Sequence, residues 1–96
     1  MPRIVLASAL ARWVRGADSG SGEIALDAQG ATLADALADV YARHPTLRGY
    51  VIDEQGRVRH HVAIFVDGVA LADKAALDTP VAAQSEIYVL QALSGG

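Results

Sequence analysis

Residues 86–96 read Glu86-Ile87-Tyr88-Val89-Leu90-Gln91-Ala92-Leu93-Ser94-Gly95-Gly96. The first six alternate as a β strand does, with Ile87 and Val89 on one face and Tyr88 and Leu90 on the other. The last five leave that pattern, and Gly95-Gly96, having no Cβ, makes a thin and conformationally permissive end. The expectation is a core strand followed at once by a short flexible tail.

Moving back along the chain, His61-Val62-Ala63-Ile64-Phe65-Val66 is the clearest β segment, β-branched and aromatic, and the turn pair Asp67-Gly68 closes it. Val69-Ala70-Leu71 reads as a short edge strand, and residues 73–84 read as a loop with room for one helical turn. Upstream, Tyr50-Val51-Ile52 and Val58-Arg59-His60 flank a turn at residues 53–57, together an irregular arm in which Gly56 suits positive φ.

Thr32 stands before Leu33-Ala34-Asp35, so its side chain can cap the amide of Asp35 while the Asp35 carboxylate sits at the positive helix end. Leu33, Leu37, Val40 and Tyr41 recur at helical spacing from there, and His44-Pro45 marks the stop. At the other end of the chain, Arg3 to Ser8 reads as a nearly unbroken apolar strand. Residues 9–14 either extend it or form a helical turn carrying Leu10 and Trp13. A loop at 16–22 leads to a return strand, Glu23 to Asp27. Strand hairpin, helix, then two or three strands is the order of an α+β β-grasp (ubiquitin-like) fold. Its mixed sheet of four to five strands wraps one main helix and holds the first and last strands side by side. Residues 1–91 are expected to form this domain and 92–96 the tail.

Composition narrows the function. The chain has 96 residues, enough for one core, and no cysteine, so it offers neither disulfide nor thiolate chemistry. Its net charge is −3 and its seven arginines and one lysine, Lys74, are scattered, which lacks the basic footprint of a nucleic-acid binder. The first residues reach Arg12 and Arg15 too soon for a signal sequence or membrane span, pointing to a cytoplasmic protein with no membrane partner. Ser8, Ser85, His44, His60 and His61 form no nucleophile–base pattern, so no enzymatic site of its own is expected. His60 and His61, adjacent in an apparent strand, would point to opposite faces, and no metal is expected. Glycines 16, 20 and 22 lack dinucleotide spacing and no Walker pattern exists, so no cofactor is expected on this chain. Trp13 reads as a packing residue.

The tail offers chemistry of a different kind. A carboxylate is a poor acyl donor, but transfer to the α-phosphate of ATP in a partner's active site gives an acyl-adenylate that sulfur or an amine can attack. Strand alternation groups Tyr88 and Leu90 on one face; likeness to the way ubiquitin-like folds run, counted back from Gly96, implies that Ile87 and Val89 face the helix and that these two point outward, with Phe65 able to join them as an apolar docking surface.

The chain resembles the ThiS/MoaD-type sulfur carriers over nearly its whole length. The likeness is carried by the opening Arg3-Ile4-Val5-Leu6, by His44-Pro45-Thr46-Leu47-Arg48-Gly49, and most specifically by His61 to Gly68 and Glu86 to Gly96. The resemblance implies that Gly96, preceded by Gly95, is adenylated by an E1-like enzyme using MgATP, converted to a thiocarboxylate and used as sulfide donor by a sulfur-accepting synthase. Where the family often has proline and a small residue pair, this chain has Gln91 and the bulkier Leu93 beside Ser94, which bears on the choice of partner. A ubiquitin-like modifier joined to lysines through Gly96 and a plain β-grasp interaction module are the alternative readings.

Overall fold

Six of the eight described elements follow directly from apolar spacing, and the other two come from residues 8–15 and 45–51, where the periodicity is weaker. The computed structural model of the chain describes residues 1–15, 22–71 and 77–91, without the side chains of Arg12, Trp13 and Arg15. In chain order the elements are β1 (Arg3–Leu6), α1 (Ser8–Arg15), β2 (Ile24–Asp27), α2 (Leu33–Arg43), α3 (Pro45–Val51), β3 (Val62–Val66), β4 (Val69–Ala70) and β5 (Glu86–Gln91). The five strands form one sheet in the order β2-β1-β5-β3-β4. β1 and β5 run parallel, Ile4 beside Ile87 and Leu6 beside Val89, whereas β1–β2, β3–β5 and β3–β4 are antiparallel. This mixed sheet with the first and last strands adjacent at its centre is the β-grasp arrangement.

One face of the sheet is closed by the helices. Ile4, Leu6, Ile64, Ile87 and Val89 share a single buried cluster with Leu10 of α1, with Leu33, Leu37 and Val40 of α2, and with Leu47 and Val51 of α3. Full burial of such a side chain contributes roughly 1.5–3 kcal/mol by transfer from water, so this cluster is the main source of stability. α2 is the longest helix, and two shorter helices accompany it.

The start of α2 shows how the fold meets its backbone needs. The first amides of a helix have no partner within it. Here Asp35 N–H donates to Thr32 Oγ1 at 3.2 Å, as the sequence predicts. Leu33 and Ala34 N–H donate to the carbonyls of Thr79 and Leu77 at 2.8 and 2.7 Å. Residues 77–80, which read only as loop, thus act as a backbone cap.

The structure decides one alternative that the sequence left open and departs from the sequence reading in two places, each for an identifiable reason. Residues 8–15 are a helix and not a strand extension: Ala7 C=O accepts from both Leu10 and Ala11 N–H, and Leu10, Ala11 and Val14 then fall on one side at helical spacing. Pro45 ends α2 but also opens α3, because its fixed φ and missing N–H suit a first helical position. The buried pair Leu47 and Val51 lies four apart on that helix, so Tyr50 and Val51 belong to it and not to the arm. His60 and His61 lie in a turn and not a strand; their rings meet edge to face at 5.4 Å and are not on opposite faces.

Two turns are built tightly. Asp53 Oδ1 accepts from Gln55 and Arg57 N–H at 2.8 and 3.0 Å while Ile52 and Val58 bridge behind them, so the arm is a closed loop. The Arg57 amide holds the Asp53 carboxyl below its ordinary range, opposed by desolvation and helped by the Gln55 amide and the charges of Arg57 and Arg59. Between β3 and β4, Asp67 (φ 52°) and Gly68 (φ 84°) are both left-handed, as a two-residue hairpin loop requires. Positive φ is unusual for aspartate, but Asp67 gains two contacts across the sheet. Its Oδ1 accepts from Glu86 N–H at 2.9 Å, and its Oδ2 accepts from the hydroxyl of buried Ser85 at 3.0 Å. These fix the start of β5.

Candidate functional site

The outer face of the sheet, opposite the helices, can be read row by row from the strand registers. At one end lies a charged row, Asp27, Arg3 and Glu86 side by side on β2, β1 and β5. The next row is apolar across all five strands: Ala25, Val5, Tyr88, Phe65 and Ala70. The third is Leu90 beside Ala63, one residue before the Gln91–Val62 pair where β5 ends. The apolar rows therefore lie on the side from which the chain continues toward residues 92–96.

Phe65, Tyr88 and Leu90 thus share one face, each half-buried, and Phe65 is not among the core side chains. Opposed residues of an antiparallel pair bring their Cβ atoms within about 5.5 Å, so Phe65 and Tyr88 adjoin. Ile87 and Val89, the alternate residues, are fully buried beneath the helices. Leu93, Ser94, Gly95 and Gly96, the remaining residues singled out from the sequence, lie outside the described residues.

One contact on this face had no signal in the sequence. Tyr88 donates its phenol hydroxyl to Glu23 Oε2 at 2.8 Å. Glu23 precedes β2 and Tyr88 lies on β5, so the ring reaches across β1, which accounts for Val5 being only 7% exposed on an otherwise bare face. The hydrogen bond to Glu23, then burial and the nearby negative charge, raise the Tyr88 phenol above its ordinary pKa. The partners are 65 residues apart and separated by a strand, so no local pattern marks them.

The other candidates are dispersed. Ser85 is occupied by Asp67 and by the Ala82 amide, which donates to Ser85 Oγ at 2.8 Å. Ser8 opens α1, His44 joins α2 to α3, and His60 and His61 pair with each other beside β3. Among the described residues no three His, Asp or Glu side chains gather as a metal site would require, and no helix is long and apolar enough to cross a membrane.

Comparison with known proteins agrees with this architecture. SAMP1 from Haloferax volcanii is 29% identical, covers 99% of this chain and 98% of its own, and superposes with a TM-score of 0.72. The solution structure of small archaeal modifier protein 1 (SAMP1) from Methanosarcina acetivorans is 21% identical over 99% of this chain and 95% of that one, with a TM-score of 0.73. A chain of the BexX/CysO complex of Amycolatopsis orientalis is 18% identical over 97% and 99%, again with a TM-score of 0.73. The last two likenesses bear on the fold alone. No curated protein sequence matches the chain. The ThiS family model, however, matches residues 12–96, and so spans β2, the main helix, the β3–β4 hairpin, β5 and the terminal glycines. The chain belongs to the ThiS family.

Proposed function

We propose that this protein is a sulfur carrier whose working group is the carboxylate of Gly96, in the segment 92–96 that follows β5 in the sequence. The observation that carries the reading is the match to the ThiS family through Gly96, together with a sheet whose central strand leads directly into that segment. An E1-like partner using MgATP activates the tail: the carboxylate oxygen attacks the α-phosphorus, pyrophosphate leaves and an acyl-adenylate forms. Sulfide sulfur then attacks the acyl carbon, AMP leaves, and a thiocarboxylate remains on Gly96. A sulfur-accepting synthase takes its sulfide from there. This chain contributes no cofactor and no catalytic group; its part is to present the acyl end and to be recognised. The outer face, with Phe65, Tyr88 and Leu90 leading toward Leu93 and Ser94, is the docking surface for those partners. That a structural neighbour was crystallised as a complex with BexX supports a protein partner for a body of this shape.

Intact mass spectrometry tests the proposal after co-expression with the activating enzyme. The expected result is a mass gain equal to exchanging one oxygen for sulfur, lost when Gly95-Gly96 is deleted. Failure to form that species with an active adenylating enzyme present sinks the reading.

A second reading is favoured by the 29% identity to an archaeal SAMP1: the same adenylate is attacked by a lysine amine, giving a protein modifier. Higher-mass conjugates on denaturing gels that vanish with Gly95-Gly96 would establish it. The two uses of one activated tail are compatible.

A further inference from the structure

A tail that reacts inside a partner's cleft fixes, by its length, which part of the body that partner covers. Residues 92–96 are five in number. At no more than about 3.6 Å each, they carry the Gly96 carboxyl at most about 18 Å beyond Gln91. A cleft closed around so short a segment meets the rim of residues from which the chain leaves the sheet.

The strand registers define that rim. β5 ends at Gln91, which faces Val62 on β3. Neighbouring strands lie about 4.8 Å apart, so the turn leading into β3, with Arg59, His60 and His61, borders the exit on that side. On the other side, Ala7 N–H donates to the Val89 carbonyl at 2.9 Å and brings exposed Ser8, the first residue of α1, beside the end of β5. Leu90 and Ala63 complete the rim on the outer face.

The charge of this rim differs from that of the chain as a whole. The protein has 11 Asp and Glu residues and a net charge of −3, yet none of these acids falls in residues 4–11, 58–66 or 87–91, the stretches that meet at this end. Glu23, at the same end but beyond β1, already accepts the Tyr88 hydroxyl. Asp27 and Glu86 stand at the opposite end of the outer face. At the exit itself the rings of His60 and His61 meet edge to face at 5.4 Å, His60 exposed and His61 half-buried. An imidazole offers an N–H donor whether neutral or charged, and the acceptor that suits both forms is a carboxylate.

We propose that His60 and His61 are specificity-determining residues for the partner that activates the tail, and that the lip of its cleft meets them with Asp or Glu side chains. The inference rests on the carrier reading, since it needs the tail to be drawn in, and adds the chemistry by which the right cleft is chosen.

The test is adenylation of the full chain by its activating enzyme, followed as carrier-dependent ATP–pyrophosphate exchange with MgATP saturating and the carrier varied. His60→Glu and His61→Glu should each raise the KM for the carrier about fivefold or more with kcat unchanged, because they set like charge against the lip. His61→Gln, which keeps a donor and loses only the capacity for charge, should fall between them and the parent. Gln84→Glu adds a negative charge at an exposed position before the far end of β5 and should match the parent. Higher salt should narrow the gap between the glutamate variants and the parent, as screening requires. Urea midpoints report whether each body is intact; if that of His61→Glu falls, the exposed His60→Glu decides. Unchanged KM in the intact glutamate variants, an equal rise in Gln84→Glu, or a loss confined to kcat overturns the inference and leaves the carrier reading in place. No exchange with the parent chain overturns both.

Discussion

The two faces of β5 differ in what covers them, although they alternate along one six-residue strand. Ile87 and Val89 are fully enclosed by the side chains of three helices. Tyr88 and Leu90 look the other way, onto rows bounded, among the described residues, by neighbouring strands and a phenol–carboxylate contact. Stability and accessible surface are thus carried by alternate residues of the same strand. A substitution can therefore change one with little effect on the other, which makes the division of labour measurable.

The sharpest test removes volume from the covered side. Ile87→Ala empties a fully buried site at the centre of the sheet and should lower unfolding free energy by about 3–4 kcal/mol, measured by urea titration. The covered side should resist addition as well. Gly30 lies where the chain turns into α2 with φ 158°, and a Cβ there would fall 2.6 Å from both Asp35 Cβ and Ala36 N. Gly30→Ala should cost about 2 kcal/mol, seen as a lower Tm; a neutral result would show that the loop yields.

A pH effect comes next in size. The folded protein holds the Tyr41 proton more tightly than the unfolded chain, so its contribution is intact below the unfolded value of 10.0 and is lost as pH rises above it. Stability should fall by up to about 1.4 kcal/mol per pH unit from this group alone. Tyr41→Phe should flatten that limb in alkaline denaturation curves without altering stability changes at acidic pH.

The smallest expected stability change is on the open face. Leu90→Ala should destabilise by only about 1 kcal/mol, well below Ile87→Ala, because Leu90 is partly and not fully buried. The same change should weaken binding to an adenylating partner at least about tenfold if Leu90 is an interface anchor. A stability loss matching that of Ile87→Ala would break the contrast between the faces; unchanged partner affinity would remove Leu90 from the docking surface.

How much of this could be read beforehand depended on how local the information was. β3, β5, the Thr32 cap and the Asp67-Gly68 turn are each specified by adjacent residues, and all were legible. The relative facing of Tyr88 and Leu90 against Ile87 and Val89 was legible too, since alternation requires it. Which side the helices would cover came from the run of ubiquitin-like folds, which puts Ile87 and Val89 inward as found; that Phe65 joins the open side took the register between β3 and β5. The short helices were harder. Pro45 signals both an end and a beginning, and residues 8–15 carry few enough apolar side chains to fit either period. Contacts between distant segments left no trace: Asp67 holding Ser85 and Glu86, Tyr88 reaching Glu23, and Thr79 capping α2 join residues brought together only by the finished sheet.

The central place of β5 has a mechanical consequence. Being flanked by β1 on one edge and β3 on the other, it is the strand without which the sheet falls into two unconnected hairpins. Those halves stay apart until it slots between them, so folding should be all-or-none. Any tension applied to the chain beyond Gln91, as when another molecule draws the end into a cleft, is taken up along the strand axis by two ladders of hydrogen bonds loaded in shear at once. Such a geometry yields at far higher force than one in which bonds are peeled off singly, so the body can be tugged by its end without coming undone.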